Sequence, residues 1–167
     1  MSGGYEIVLW IILIAASVTD LLWGKIYNSL TLTSMGAGVL IRLALGGVSS
    51  TSVSILAIST AFILFFPLYY FKVLAAGDVK LLMAIGAWSN TDFVVRIGFT
   101  SILVGAVVGF WVLLKKKGIR KSASSVADAV NFNPKDIQKR TRMPFGPAFL
   151  CSFLFFKIAE LKGWALF

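Results

Sequence analysis

The sequence contains no histidine, and its one cysteine is Cys151. The absence of histidine excludes a Ser/His/Asp triad, a Cys/His dyad and the histidine-based motifs of zinc proteases. A single cysteine can form neither an internal disulfide nor a cysteine-based zinc site. We therefore expect no metal and no other cofactor, and any catalysis must come from carboxylates, lysine, hydroxyl groups or the backbone.

Charged residues are also scarce. Only 14% of the 167 residues are charged and 58% are hydrophobic, whereas a soluble domain has about 25% and 45–50% respectively. A water-soluble fold of this size could not cover so large an apolar core with so few polar side chains. The apolar residues also cluster in long runs that are typical of bilayer spans. We expect a single transmembrane domain over residues 1–167, with an all-α fold.

The apolar runs predict a bundle of about six transmembrane helices. They cover residues 5–23, 26–45, 53–71, 74–88, 93–114 and 144–164. Gly46, Gly47 and the Ser/Thr cluster that follows them predict a turn between the second and third spans. The fourth run covers only about 22 Å, which is short for a full crossing. We expect Trp10, Trp88 and Trp111 to face lipid or to lie at the interface.

The distribution of basic residues predicts the orientation. The net charge of +9 is concentrated in the segment 115–142, and Lys25 and Lys72 fall on the same side of the bundle. The opposite loops, near residues 46–52 and 89–92, contain no Lys or Arg. The positive-inside rule then places both termini outside and this basic side in the cytoplasm. We expect segment 115–142 to contact anionic lipid headgroups rather than nucleic acid.

Two aspartates lie inside these spans at matched depth. Asp20 is near the cytoplasmic end of the first span, and Asp78 is at the cytoplasmic start of the fourth. A carboxylate at the centre of a span costs at least about 2.5–3.5 kcal/mol, so two at one depth suggest a shared site. In aspartyl proteolysis one carboxylate takes a proton from water while its protonated partner donates to the scissile carbonyl.

Position alone leaves other interpretations open. Asp20 could pair with Lys25, and Asp78 could be the N-cap of its own helix. A small proton-coupled transporter would also contain intramembrane acids, although these should lie nearer the midplane with a pathway to both faces. A scaffold subunit of a pilus or secretion complex would need neither aspartate.

The segments around these aspartates resemble the motifs of the type IV prepilin peptidases. Asp20 is followed by Leu-Leu-Trp-Gly-Lys-Ile-Tyr-Asn, and residues 75–81 read Ala-Ala-Gly-Asp-Val-Lys-Leu, similar to the Gly-x-Gly-Asp motif. Residues 144–147, Pro-Phe-Gly-Pro, resemble a third element near the last span. The chain is most similar to the small, tight-adherence type, which lacks the N-terminal cytoplasmic domain with its cysteine-bound zinc.

The resemblance implies an intramembrane aspartyl endopeptidase of the bacterial plasma membrane. It implies that Asp20 and Asp78 are catalytic, and that the enzyme cleaves the leader of a pilin-like precursor at the cytoplasmic membrane face. It gives no support for the N-methylation that larger members perform. Residues expected to support the site or bind substrate are Gly77, Lys80, Asn28, Pro144, Gly146 and Pro147.

Individual alternatives for these supporting residues stay open. Gly77 could allow close backbone approach or be a plain loop glycine, and Lys80 could be a snorkelling anchor of the topology. Two positions depart from the family pattern, because Tyr27 replaces a proline and Ala75 replaces the first glycine. Tyrosine does not fix φ, and alanine would be strained if its position needed a positive φ.

Overall fold

The computed structural model describes residues 3–116 and 145–162. Within these ranges the chain forms five helices and no strand, which confirms the predicted all-α fold. Beyond Lys116, the predicted basic segment 115–142 lies outside the described residues. The helices are α1 (Gly3–Trp23), α2 (Asn28–Tyr70), α3 (Ala76–Trp88), α4 (Thr91–Lys116) and α5 (Gly146–Leu161).

Helix α2 reverses direction at Gly47. This residue has φ 63° and ψ −164°, a backbone conformation that is essentially restricted to glycine. Gly38 packs against Ala87 of α3, and Ala57 packs against the adjacent Gly86. Because residues before and after Gly47 meet the same end of α3, α2 is a hairpin with a first arm (residues 28–46) and an antiparallel second arm (residues 48–70).

The second arm begins earlier than the sequence suggested. The Ser/Thr cluster after Gly47 was predicted to be a turn, with the next span starting near residue 53. That boundary is wrong, because the helix resumes directly after Gly47. Thr51 and Ser52 donate their hydroxyls to the carbonyls of Gly47 and Val48, at 2.9 Å each. These bonds satisfy the hydroxyl groups within the helix and make the polar cluster compatible with it.

Helix α3 lies between the two arms and forms the centre of the fold. Its start is next to Ile26, and its end is bonded to Arg42, so it runs parallel to the first arm. The rest of the bundle packs around it, with α1 against α5 and α4 against both the second arm and α5. The largest fully buried side chains are Phe65, Phe149, Phe153, Leu9, Leu13, Leu81, Leu82, Ile85 and Ile97.

The outer surface of this bundle is apolar. Among the described residues, three helices are long and apolar enough to cross a membrane: Gly4–Trp23, Asn28–Tyr70 and Thr91–Gly109. Large side chains on these helices point outward, and Leu45 and Val48 are each 77% exposed. At about 1.5 Å per residue, the 43 residues of α2 are twice as long as one crossing requires. The hairpin at Gly47 resolves this excess by folding α2 back on itself.

Trp88 was expected to face lipid or the interface, and this is wrong. The side chain is 3% exposed, and its Nε1 donates to the carbonyl oxygen and the hydroxyl of Ser34, at 3.0 and 3.1 Å. The indole is buried because the first arm supplies the acceptor that its N–H requires. Trp10 is half-buried and packs edge-on against Phe153, and the side chain of Trp111 lies outside the described set.

Candidate active site

Asp20 lies in the last turn of α1 and is 8% exposed. Its Oδ2 accepts a hydrogen bond from the backbone N–H of Gly146, the first residue of α5, at 2.6 Å. This contact joins the side chain of Asp20 to the N-terminus of α5, which carries a partial positive charge. Among the described residues no ion pair joins Asp20 to Lys25, which removes that alternative for the aspartate.

The contact between α1 and α5 depends on the absence of a side chain at Gly146. A Cβ at this position would lie 2.9 Å from the Cβ of Asp20, 3.0 Å from the Cα of Ser17 and 3.1 Å from the carbonyl oxygen of Ala16. Two of these atoms belong to the backbone of α1 and cannot rotate away. Glycine therefore allows the two helices to approach closely enough for the bond to Asp20.

Asp78 is the third residue of α3 and is 3% exposed. Its Oδ2 accepts the backbone N–H of Ala75 at 2.9 Å. The N-cap is Ala75, so the alternative in which Asp78 is itself the N-cap is wrong. The carboxylate instead closes the first turn of the helix from the N3 position. This bond holds the side chain at the start of α3, where it is largely removed from solvent.

The fold brings Asp20 and Asp78 to the same end of the bundle. One is at the end of α1 and the other at the start of α3, and the loop between α1 and α2 joins the two regions because Ile26 packs against Gly77. The two buried carboxylates interact electrostatically.

Two of the predicted supporting residues meet beside this pair. Lys80 Nζ donates to the side-chain oxygen of Asn28 at 2.8 Å, which links α3 to the start of the first arm. Lys80 is half-buried and Asn28 is exposed. The lysine therefore bridges two elements at the aspartate end, in addition to any anchoring role at the membrane surface.

The two departures from the family pattern leave the backbone unstrained. Tyr27 has φ −72°, which lies within the range that proline imposes. Ala75 has φ −82° and ψ 156°, so this position does not need glycine. Pro147 lies in the first turn of α5, where proline is tolerated. Pro144 lies outside the described residues.

The comparison with known families completes these observations. The sequence model of the type IV leader peptidase family matches residues 7–110, a range that contains both Asp20 and Asp78. The chain belongs to the type IV leader peptidase family. The resemblance inferred from the motifs is thereby confirmed, and this leader peptidase is a membrane-associated protease whose general substrate class is prepilin-like. No curated protein and no solved structure matches the chain.

Sequence reasoning missed several groups that shape this leader peptidase site. The N–H of Ala75 binds Asp78, and the backbone around Ala16 and Ser17 makes Gly146 necessary. Backbone donors leave no signal in residue types, so only the Gly-Pro step at the start of α5 pointed to them. Among the described residues, no group of three His, Cys, Asp or Glu side chains converges to hold a metal ion.

Proposed function

We propose that this leader peptidase is an aspartyl endopeptidase in which Asp20 and Asp78 form the catalytic pair. The observation that carries the proposal is that both carboxylates are buried at one end of the bundle and interact electrostatically. Each is also held by one backbone N–H, from Gly146 or from Ala75. Two oriented acids that share one proton are the chemical requirement of aspartyl proteolysis.

The proposed reaction uses the pair as acid and base in turn. The ionised carboxylate takes a proton from a water molecule whose oxygen bonds to the scissile carbonyl carbon, while the protonated carboxyl donates to the carbonyl oxygen. The tetrahedral intermediate then gives one hydroxyl proton to the carboxylate that is now ionised, the C–N bond breaks, and the departing amine takes a proton from the other carboxyl, so the pair again holds one proton. The bonds to Gly146 and Ala75 engage Oδ2 of each aspartate and fix both carboxyl planes during these steps.

We further propose six crossings in a bacterial plasma membrane: α1, the two arms of α2, α3, α4 and α5. Lys25 and Lys72 lie in the loops at the aspartate end, whereas Gly47 and Asn90 mark the opposite end, where the turns contain no Lys or Arg. The positive-inside rule then places the aspartate end at the cytoplasmic face and both termini outside. The basic segment 115–142 would lie on the same cytoplasmic side.

The proposed substrate is a pilin-like precursor that has a basic leader followed by an apolar helix. The residues that follow Asp20 are apolar and exposed, with Leu21 at 61% and Leu22 at 67%. This surface lets an apolar segment approach from the bilayer while the leader remains at the cytoplasmic face. The transporter alternative is not favoured, because both acids lie at one end of the bundle rather than near its midplane.

The test is a cleavage assay on purified, inserted protein with such a precursor. Asp20→Asn and Asp78→Asn preserve side-chain size and remove the acid–base function, so each should lower the cleavage rate by about 10²–10⁴-fold. Asp92→Asn is the matched control, because Asp92 is exposed at the start of α4. Full activity in either of the first two variants would refute the proposed mechanism.

A further inference from the structure

The far end of α3 is buried, and every one of its terminal carbonyls has a partner. The last four carbonyls of a helix receive no hydrogen bond from a backbone N–H of the same helix. The backbone N–H of Ser89 donates to the carbonyls of Ile85 and Gly86, at 3.0 and 3.3 Å. The hydroxyl of Ser89 also donates to the carbonyl of Ile85, at 2.8 Å. The other two carbonyls, those of Ala87 and Trp88, are bonded by side chains from α2.

These two side chains come from opposite arms of the hairpin. Ser54 Oγ on the second arm donates to Ala87 O at 2.9 Å, and Arg42 Nη2 on the first arm donates to Trp88 O at 2.9 Å. The guanidinium also lies 5.1 Å from the centre of the Tyr5 ring on α1, a cation–π contact. We call Arg42, Ser54 and the two carbonyls they bind the α3 clasp.

Burial of the Arg42 guanidinium at this position costs free energy. Arg42 is 7% exposed, and its Nε has no hydrogen-bond partner. Among the described residues it forms no ion pair with a carboxylate. A buried cation with an unpaired N–H contributes less to stability than a well-packed apolar side chain would. What the guanidinium adds is a charged donor at the negative end of the α3 dipole, which fixes where that helix ends.

Close packing removes the other freedoms of α3. A Cβ on Gly86 would lie 3.0 Å from the backbone carbon of Ala57, and a Cβ on Gly38 would lie 2.9 Å from the Cβ of Ala87. The end of α3 therefore fits between the two arms without space for rotation or tilt. Packing restricts movement toward either arm, and the α3 clasp restricts sliding along the helix axis.

Asp78 is on the same rigid helix, ten residues before Trp88, or about 15 Å away along the axis. A shift of one residue along the axis moves a helix by about 1.5 Å. A misplacement of about 1 Å in a catalytic group can lower the rate by about a hundredfold. We propose that Arg42, together with Ser54, is a positioning residue that sets the depth of Asp78 from the opposite end of α3.

This inference rests on the catalytic role proposed for Asp78, so its test needs a readout other than cleavage. Ile26 and Gly77 provide one, because a Cβ on Gly77 would lie 3.2 Å from the Cβ of Ile26. A disulfide holds its two Cβ atoms about 3.5–4.5 Å apart, so Ile26→Cys with Gly77→Cys, in a Cys151→Ser background, should crosslink after a shift of a few tenths of an ångström. The rate of crosslinking reports where the start of α3 lies, whether or not Asp78 is catalytic.

The experiment compares Arg42→Met, Arg42→Lys and Ser54→Ala with Ser52→Ala as the matched control. Ser52 is on the same arm as Ser54, but its hydroxyl bonds within its own helix. Arg42→Met should lower kcat by about tenfold to a hundredfold, leave KM for the pilin-like precursor nearly unchanged and change the rate of crosslinking. Arg42→Lys keeps a charged donor, so its kcat and its crosslinking rate should lie between those of Arg42→Met and wild type. Ser52→Ala should match wild type.

Two results would overturn the proposal: wild-type kcat in folded Arg42→Met protein, or a lower kcat with unchanged crosslinking. If Arg42→Met does not insert, Ser54→Ala decides the question by the same two measurements. The proposed function fails separately, if Asp78→Asn protein cleaves the precursor at the wild-type rate. In that case the crosslinking would still show whether the α3 clasp sets the position of α3.

Discussion

Replacing Gly146 with alanine tests the contact between α5 and Asp20 of the proposed catalytic pair. The added methyl would lie 2.9 Å from Asp20 Cβ, about half an ångström closer than an ordinary contact of 3.4 Å. The backbone of Ser17 and Ala16, at 3.0 and 3.1 Å, blocks the other directions. Helix α5 must therefore move away from α1, and overpacking of this kind lowers the free energy of unfolding by about 1–3 kcal/mol.

The same movement lengthens the bond from Gly146 N to Asp20 Oδ2, which is 2.6 Å in the wild type. A hydrogen bond to a charged group contributes about 1.5–3 kcal/mol. If this bond orients Asp20 in the transition state, its loss lowers kcat by about ten- to a hundredfold, since about 1.4 kcal/mol corresponds to a factor of ten. KM should change little, because the contact that is lost is one to the carboxylate of Asp20.

The assay is precursor cleavage in detergent or in liposomes, with thermal unfolding measured on the same preparation. Gly36→Ala is the control, because a Cβ on Gly36 would have no neighbour within 4 Å. That exchange should leave cleavage unchanged and raise stability by about 0.5–1 kcal/mol. A Gly146→Ala enzyme with kcat within about twofold of wild type would refute the reasoning, since the α1–α5 contact would then not control Asp20.

Four further substitutions test other parts of the fold. Gly47→Ala should lower the free energy of unfolding by about 1–3 kcal/mol, measured by thermal unfolding in detergent, because φ 63° with ψ −164° is strained for any side chain. Tyr27→Pro should retain cleavage and change stability by less than about 1 kcal/mol, since φ is already −72°; a large loss would contradict this. Lys157→Met should destabilise by about 1–3 kcal/mol, because Lys157 bonds Glu6 of α1 at 2.6 Å in a partly buried pair. Glu160→Gln should have a smaller effect, because Glu160 is 66% exposed.

The sequence predicted the helical class and the positions of most helices, because long apolar runs in a bilayer have few alternatives. It also predicted that Asp20 and Asp78 would lie at one end of the bundle. Successive spans run in opposite directions, so the end of the first span and the start of the fourth lie on the same side. It misplaced the start of the second arm. Hydroxyl groups typical of turns in water are satisfied inside an apolar helix by bonding to earlier carbonyls, as Thr51 does with Gly47.

The contacts that position the site could not be predicted from the sequence, because they join residues that are far apart in it. Arg42 and Trp88 are 46 positions apart, and Asp20 and Gly146 are 126 apart. Trp88 looked like an interfacial aromatic, and only the fold shows that Ser34 supplies an acceptor for its indole. Lys157 pairs with Glu160, which is only three positions away on the same helix. The second carboxylate, Glu6, was not anticipated.

The length of α3 has a consequence for the supply of water. Its 13 residues extend about 20 Å, whereas the hydrocarbon layer of a bilayer is about 30 Å thick. The start of α3 is level with Ile26 and Asn28 at the start of the first arm, whereas its far end is bonded to Arg42 before the arm reaches Gly47. The missing length therefore falls at the end opposite to Asp78. In the proposed topology the two arms of α2 cover that side of the layer, and the start of α3 lies at the depth of the loops that contain Lys25 and Lys72. In that topology Asp78 lies near the cytoplasmic surface, close to the bulk solvent that supplies the water molecule consumed by hydrolysis.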